Sequence, residues 1–88
     1  MKPWYVYLLR CADDSLYCGV TIDLPRRLDE HNSSDKGAKY TRGRRPVSLA
    51  WFMKQPTRSA ACKLEYRIKR LHKPDKELLV TGKLNLTR

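Results

Sequence analysis

The sequence predicts an α+β domain, a three-stranded antiparallel β-sheet flanked by helices in the order β-β-α-β-α-α. Three observations carry that expectation. Two runs of strand composition, Trp4 to Leu9 and Leu16 to Thr21, stand on either side of a short polar turn. A third run, Val47 to Met53, alternates Val47, Leu49, Trp51 and Met53 with Ser48, Ala50 and Phe52. Elsewhere apolar residues recur at steps of three and four, the helical period. At 88 residues the chain has room for one core, so a single domain is expected over residues 1–82, with 83–88 as a frayed tail.

Each element has its own justification. Trp4-Tyr5-Val6-Tyr7-Leu8-Leu9 is apolar on both parities, which suits a central strand covered on both faces. Ala12-Asp13-Asp14-Ser15 is turn chemistry, and the length of that turn decides which side chains share a face. A two-residue turn would pair Arg10 with Tyr17 and put Tyr7 and Tyr17 on opposite faces. A three-residue loop with Asp14 left-handed pairs Leu9 with Tyr17 and puts both rings on one face; this is the expected arrangement. Asp23 is placed to cap a short helix with Pro25 in its first turn, running to about Asn32. From Ser33 to Pro46 the composition is that of an exposed loop with one aromatic, Tyr40. After the third strand, Thr57 or Ser59 caps a longer helix whose stripe is Ala61, Leu64, Ile68 and Leu71. Pro74 to Val80 forms a last short helix ending near Gly82.

Charge narrows the function. Nineteen Lys and Arg against nine Asp and Glu give a net charge of +10, so the partners should be anionic. No apolar run approaches the length of a membrane span, and the N-terminal apolar run is too short for a signal peptide, so a cytoplasmic protein is expected. Cys11, Cys18 and Cys62 are odd in number and contain no Cys-x-x-Cys pair; reduced, mostly buried thiols are expected instead of a disulfide framework or zinc ribbon. Between Lys36 and Lys73 a single acid, Glu65, interrupts the basic residues. Lys36, Lys39, Arg42, Arg44 and Arg45, with Tyr40 among them, form a basic loop suited to phosphate neutralisation and base stacking. Glu65 borders the apolar stripe of its helix; it is either an ion-pair partner of Arg67, Lys69 or a loop Arg, or a ligand for a divalent cation beside a phosphate. Arg27 and His31 lie one turn apart, fit for clamping a phosphate and moving a proton, or else for pairing with Asp23 or Glu30 and closing a helix.

Tyr5-Val6-Tyr7 and Tyr17-Cys18-Gly19, with Arg27, His31 and Glu65 in order, resemble the GIY-YIG nuclease family. Gly37-Ala38-Lys39-Tyr40-Thr41-Arg42 and Arg44-Arg45-Pro46 resemble its small stand-alone bacterial branch. The resemblance covers residues 4 to about 80. It departs from the pattern at Tyr5, where Gly is expected, and at Cys18, where Ile is usual, and Val20 stands where some members carry Lys. It implies a DNA endonuclease, structure-dependent and tied to repair or recombination. One Mg²⁺ or Mn²⁺ ion would sit on Glu65, the scissile phosphate on Arg27, and the water would be activated by Tyr7, Tyr17 or His31. RNA as substrate, a protein partner that supplies specificity, and a non-catalytic nucleic-acid-binding or repair-complex role stand beside this reading. Oligomeric state is not legible.

Overall fold

The computed structural model describes residues 2–86. Strands β1 (Trp4–Arg10), β2 (Leu16–Thr21) and β3 (Ser48–Gln55) form one antiparallel sheet in the order β2-β1-β3. The helices are α1 (Leu24–Ser33), α2 (Lys39–Arg42), α3 (Arg58–Lys69) and α4 (Lys73–Val80). The predicted element order stands, with one added turn of helix, α2, inside the basic loop. No described helix is long and apolar enough to cross a membrane.

Because β1 is central, both of its faces need cover, and its two parities feed two cores. Val6 and Leu8 meet Cys18, Ala61, Leu64, Ile68 and Leu79 beneath α3 and α4. Tyr7, Leu9 and Cys11 meet Val47, Tyr17, Leu24 and Leu28 beneath α1. Full burial of each such aliphatic side chain contributes roughly 1.5–3 kcal/mol, which is why this strand is almost wholly apolar.

The hairpin has the predicted geometry. Leu9 pairs with Tyr17, Asp14 has φ 69°, and Asp14 N–H donates to the Cys11 carbonyl at 2.9 Å across the turn. Asp23 caps α1 by accepting from Arg26 N–H at 3.1 Å, and Thr57 caps α3 by accepting from Ala60 N–H at 3.1 Å.

Three expectations change. The alternation along the third strand breaks at a bulge: Leu8 faces Trp51 but Leu9 faces Leu49, so Leu49 sides with the α1 layer while Trp51 and Met53 side with α3 and α4. The tail is not frayed where it is described, because Leu84 and Leu86 pack against the α3/α4 core; residues 87–88 lie outside the described residues. The 33–46 segment is not simply exposed. Thr41 is fully buried, and Gly37 lies so close to α1 that a Cβ there would sit 2.9 Å from both the Glu30 carbonyl oxygen and His31 Cα.

Candidate active site

The site grows from one pairing in the sheet. Tyr7 faces Gly19 across β1 and β2, and a Cβ on residue 19 would lie 2.4 Å from the Tyr7 hydroxyl oxygen and 2.6 Å from Cζ. The Tyr7 ring therefore occupies the room that glycine leaves. Its hydroxyl reaches His31 Nε2 at 3.0 Å. His31 stands in the last turn of α1, fully buried, with Nδ1 2.9 Å from Thr41 Oγ1. Thr41 spends its proton on the Ala38 carbonyl, 2.9 Å away, so it accepts from Nδ1–H, and Nε2 is left to accept from Tyr7. The Ala38 N–H also points at Nδ1 but at 3.4 Å, and the two shorter bonds set the tautomer.

This chain of bonds holds neutral groups. Burial, aided by the charge of Arg27, pushes the His31 imidazole down to about 4. Burial pushes the Tyr7 phenol up to about 12, against the opposing pull of nearby Arg27. Arg27, one turn before His31, donates from Nη1 to Glu30 Oε1 at 3.0 Å and to the Lys36 carbonyl at 2.8 Å, and its charge stands close enough to Tyr7 to act on the phenol. A guanidinium has more N–H donors than these partners use, and the side chain is 27% exposed, so it has capacity for a phosphate oxygen.

Tyr17 completes the α1-side cluster. Its ring meets the His31 ring edge-on at 5.4 Å and stacks on Tyr40 at 5.8 Å and 26°. Arg44 lies over the Tyr40 ring at 3.8 Å. Its Nε donates to Asp13 Oδ2 at 2.9 Å and its Nη1 to the Tyr40 carbonyl at 2.8 Å. A ladder of His31, Tyr17, Tyr40 and Arg44 thus runs from core to surface. Tyr7 is 2% exposed and His31 0%, whereas Tyr17 is only partly buried, so of the three residues that could meet a water Tyr17 alone is open to solvent.

Glu65 stands apart. It lies on α3, on the other layer of the sheet, close enough to the edge strand to act on buried Cys18 of β2, whose thiol burial raises to about 12 with the Glu65 charge adding. Its Oε2 pairs with Lys69 Nζ at 3.3 Å. Among the described residues no hydrogen bond or ion pair joins it to Arg27, Tyr17 or His31, and no group of three His, Cys, Asp or Glu gathers for a metal. What this carboxylate offers a divalent ion is one hard oxygen ligand, 22% exposed at the rim of β2. That suits Mg²⁺ or Mn²⁺, which keep most of their water and share a phosphate, and does not suit a caged structural metal. The three cysteines are free, Cys11 and Cys18 buried and Cys62 half-buried.

The basic loop divides in two. Lys36, Lys39 and Arg42 are exposed, as is Tyr40. Arg44 and Arg45 are tied inward: Arg45 Nε donates to the His31 carbonyl at 2.6 Å and Nη2 to the Ser34 carbonyl, closing the C-terminus of α1. Sequence reasoning missed three supports of the site. Thr41 holds the His31 tautomer, Asp13 anchors Arg44, and Asn32 exchanges two bonds with the Val47 backbone, 2.7 and 2.8 Å, joining α1 to β3. Their types are common surface types, so only long-range pairing exposes them.

Residues 3–78 match the family profile described as the GIY-YIG catalytic domain. The chain belongs to the GIY-YIG family. This is a nuclease family. The chain is similar to a UPF0213 protein of Vibrio cholerae, 52% identical over 82 residues that make up 92% of this chain and 80% of the relative. It is likewise similar to UPF0213 protein YhbQ of Salmonella typhimurium, 49% identical over 81 residues, 92% of this chain and 80% of the relative. Two solution structures share the fold. A UPF0213 protein from Bacillus halodurans has TM-score 0.59 and 46% identity, over 92% of this chain and 85% of that one. A protein from E. faecalis has TM-score 0.62 and 44% identity, over 100% and 94%. In this GIY-YIG chain the glycine of the second triad has a physical task, making room for the tyrosine of the first.

Proposed function

We propose that this GIY-YIG protein is a metal-dependent DNA endonuclease that hydrolyses phosphodiester bonds and selects its substrate by shape, in the service of repair or recombination. The observation that carries the proposal is the seating of Arg27. The Glu30 carboxylate and the Lys36 carbonyl hold the guanidinium at a half-open position, with spare donors, near the buried, neutral Tyr7–His31–Thr41 chain against which the solvent-reached Tyr17 packs. A scaffold that prepares one cation for one phosphate suits a transition state in which phosphoryl oxygens gain charge.

Roles follow from exposure. Arg27 binds the scissile phosphate in two parallel hydrogen bonds. Tyr17 meets the attacking water. Tyr7 and His31 are positioning residues, because a phenol near 12 and an imidazole near 4, both buried, keep Arg27 and Tyr17 in place without exchanging protons with solvent at neutral pH. Glu65 would hold Mg²⁺ or Mn²⁺, and the bound ion supplies Lewis-acid stabilisation of the leaving oxygen. Lys36, Lys39, Arg42 and Tyr40 grip the strand outside the site, and Arg44 and Arg45 shape the loop that presents them.

Incubation of the purified protein with flapped, branched, single-stranded and duplex DNA, with Mg²⁺, Mn²⁺ or chelator, tests the proposal. Cleavage that requires metal, is lost in Arg27→Ala and Glu65→Gln, and leaves Glu65→Gln binding DNA at least as tightly as wild type is expected. Removing the carboxylate deletes a ligand and a repulsive charge at once. A Glu65→Gln variant that cleaves like wild type would sink the metal role. A second reading, binding without turnover, is favoured by the Glu65–Lys69 ion pair, and it is the one left standing if no substrate is cut but all are bound.

A further inference from the structure

The first triad carries Tyr5 where the GIY-YIG pattern has glycine, and the structure gives that tyrosine a partner. Tyr5 packs edge-on against Phe52 of β3, ring centroids 6.1 Å apart at 64°. Phe52 is 51% exposed, although it sits in the middle of a strand. It is the register partner of Tyr7, so it lies on the α1 side of the sheet, one strand away from a residue that shares a crevice with Arg27. Helix α1 packs over β1 and β2 through Leu24 and Leu28 and leaves this β3 portion open. Leu49, 38% exposed, continues the surface inward and lines a small crevice with Tyr7, Leu9 and Arg27.

Charge selects the occupant. Lys54 is the register partner of Tyr5 and is exposed beside the pair. Residues 1–12 and 36–64 contain no Asp or Glu, so neither β1 nor β3 brings a carboxylate to this surface. A protein partner would be expected to meet a larger apolar patch, and the two strands set no carboxylate against a phosphate chain, the nearby Glu30 being paired with Arg27. A half-exposed Phe52 ring braced edge-on by the half-buried Tyr5, next to a cation and within one strand of Tyr7 beside Arg27, makes a stacking platform for bases.

We propose that Tyr5 and Phe52 form a second binding point for the nucleic acid, a base-stacking platform that receives unpaired nucleotides flanking the phosphate bound at Arg27. This rests on the nuclease reading and adds a substrate class to it: DNA with a single-stranded or splayed segment beside the cut. Duplex bases are stacked on each other and cannot use the platform, so it favours flaps and open junctions over plain duplex.

The test is binding in chelator, where turnover does not interfere. Fluorescence anisotropy with a labelled oligothymidylate, a flap substrate and a plain duplex is compared for wild type, Phe52→Ala, Phe52→Leu and Phe52→Trp. Phe52→Ala and Phe52→Leu should each weaken oligothymidylate and flap binding about 5- to 100-fold. Duplex affinity should change less than about twofold, the salt slope should be unaltered, and Phe52→Trp should bind like wild type. Phe52→Leu retains an apolar side chain on the strand, so it reports stacking even if Phe52→Ala unfolds. Equal loss on all three substrates, or wild-type affinity in both variants, overturns the platform. So does a wild-type dimer in sedimentation velocity that Phe52→Leu dissociates, since the patch would then be a protein interface. Wild type that binds no nucleic acid refutes the nuclease reading itself. Wild type that binds and cleaves while Phe52→Leu is unchanged refutes the platform alone.

Discussion

Lowering the pH from 7.5 to 4.5 should destabilise this protein through one residue, His31. Its imidazole is fully buried and its pKa is pushed down from 6.5 to about 4, by burial first and by the Arg27 charge second. Because the folded value is the lower one, the associated stability is complete above pH 6.5. As pH falls below that, the unfolded chain takes up a proton that the native site refuses, and the loss stops only near pH 4, where the native imidazole protonates as well. At about 1.4 kcal/mol per pH unit the full loss is about 3 kcal/mol, a large part of the roughly 5–15 kcal/mol available to a small domain. Urea unfolding followed by circular dichroism at pH 7.5, 6.5, 5.5 and 4.5 measures it, with His31→Gln as control. Wild type should lose stability with a slope approaching about 1.4 kcal/mol per unit below pH 6, while His31→Gln should be nearly flat in that window. Glu77, drawn down to about 2 by its bonds from Arg10 and Lys73, contributes stability that falls mainly below pH 4.5 and falls equally in the control, so the comparison with His31→Gln removes it. Parallel curves for wild type and His31→Gln would refute the buried neutral imidazole and, with it, the Tyr7–His31–Thr41 chain.

Gly19→Ala should cost roughly 1–3 kcal/mol of stability by driving a methyl group into the Tyr7 ring, and a double-mutant cycle with Tyr7→Leu should recover part of that loss; strict additivity in urea melts would show that the two do not meet. Arg45→Ala should lower stability by about 1–3 kcal/mol, because it opens the carbonyls at the end of α1, whereas Lys39→Ala with Arg42→Ala should leave urea midpoints unchanged. On DNA the order reverses: the Lys39/Arg42 double variant should reduce the magnitude of the log K against log salt slope by about 0.7–0.9 for each phosphate left without its cation, and an unchanged slope would make those residues solvated surface. Tyr40→Ala should weaken single-stranded binding by about 1–3 kcal/mol with no change of slope; equal weakening on duplex would argue that Tyr40 acts by holding Tyr17 instead of a base.

Local chemistry made much of the fold legible. The both-faces apolarity of Trp4 to Leu9 specifies a central strand because only two covering layers can hide it. The loop arithmetic at Asp13-Asp14 decided that Tyr7 and Tyr17 share a face, since side chains alternate and a left-handed residue adds one position. The caps at Asp23 and Thr57, and the stripe of Ala61, Leu64 and Ile68, are likewise short-range: each is a relation among residues within one or two helical turns.

The candidate residues were legible as a set, but not their arrangement. Tyr7, Tyr17, Arg27 and His31 come together as expected, but which of them solvent reaches depends on how deeply the 37–45 segment packs against α1. That depth is set by Gly37, Thr41 and Arg45, whose partners lie up to fourteen residues away in sequence. Composition alone reads this segment as loose because Ser, Gly, Lys and Arg carry no hydrophobic signal, yet hydrogen bonds to α1 fold it. The bulge between Leu8 and Leu9, which turns Leu49 toward the α1 side, has no local signature either. By itself the sequence determined the strands, the three longer helices, the hairpin register and the basic field, all consequences of backbone geometry and of charge per residue. Only the tertiary structure decided that Glu65 lies in the layer away from α1, that Arg44 and Arg45 bond back onto the chain, and that Phe52 is left open, because those facts depend on which layer covers which face.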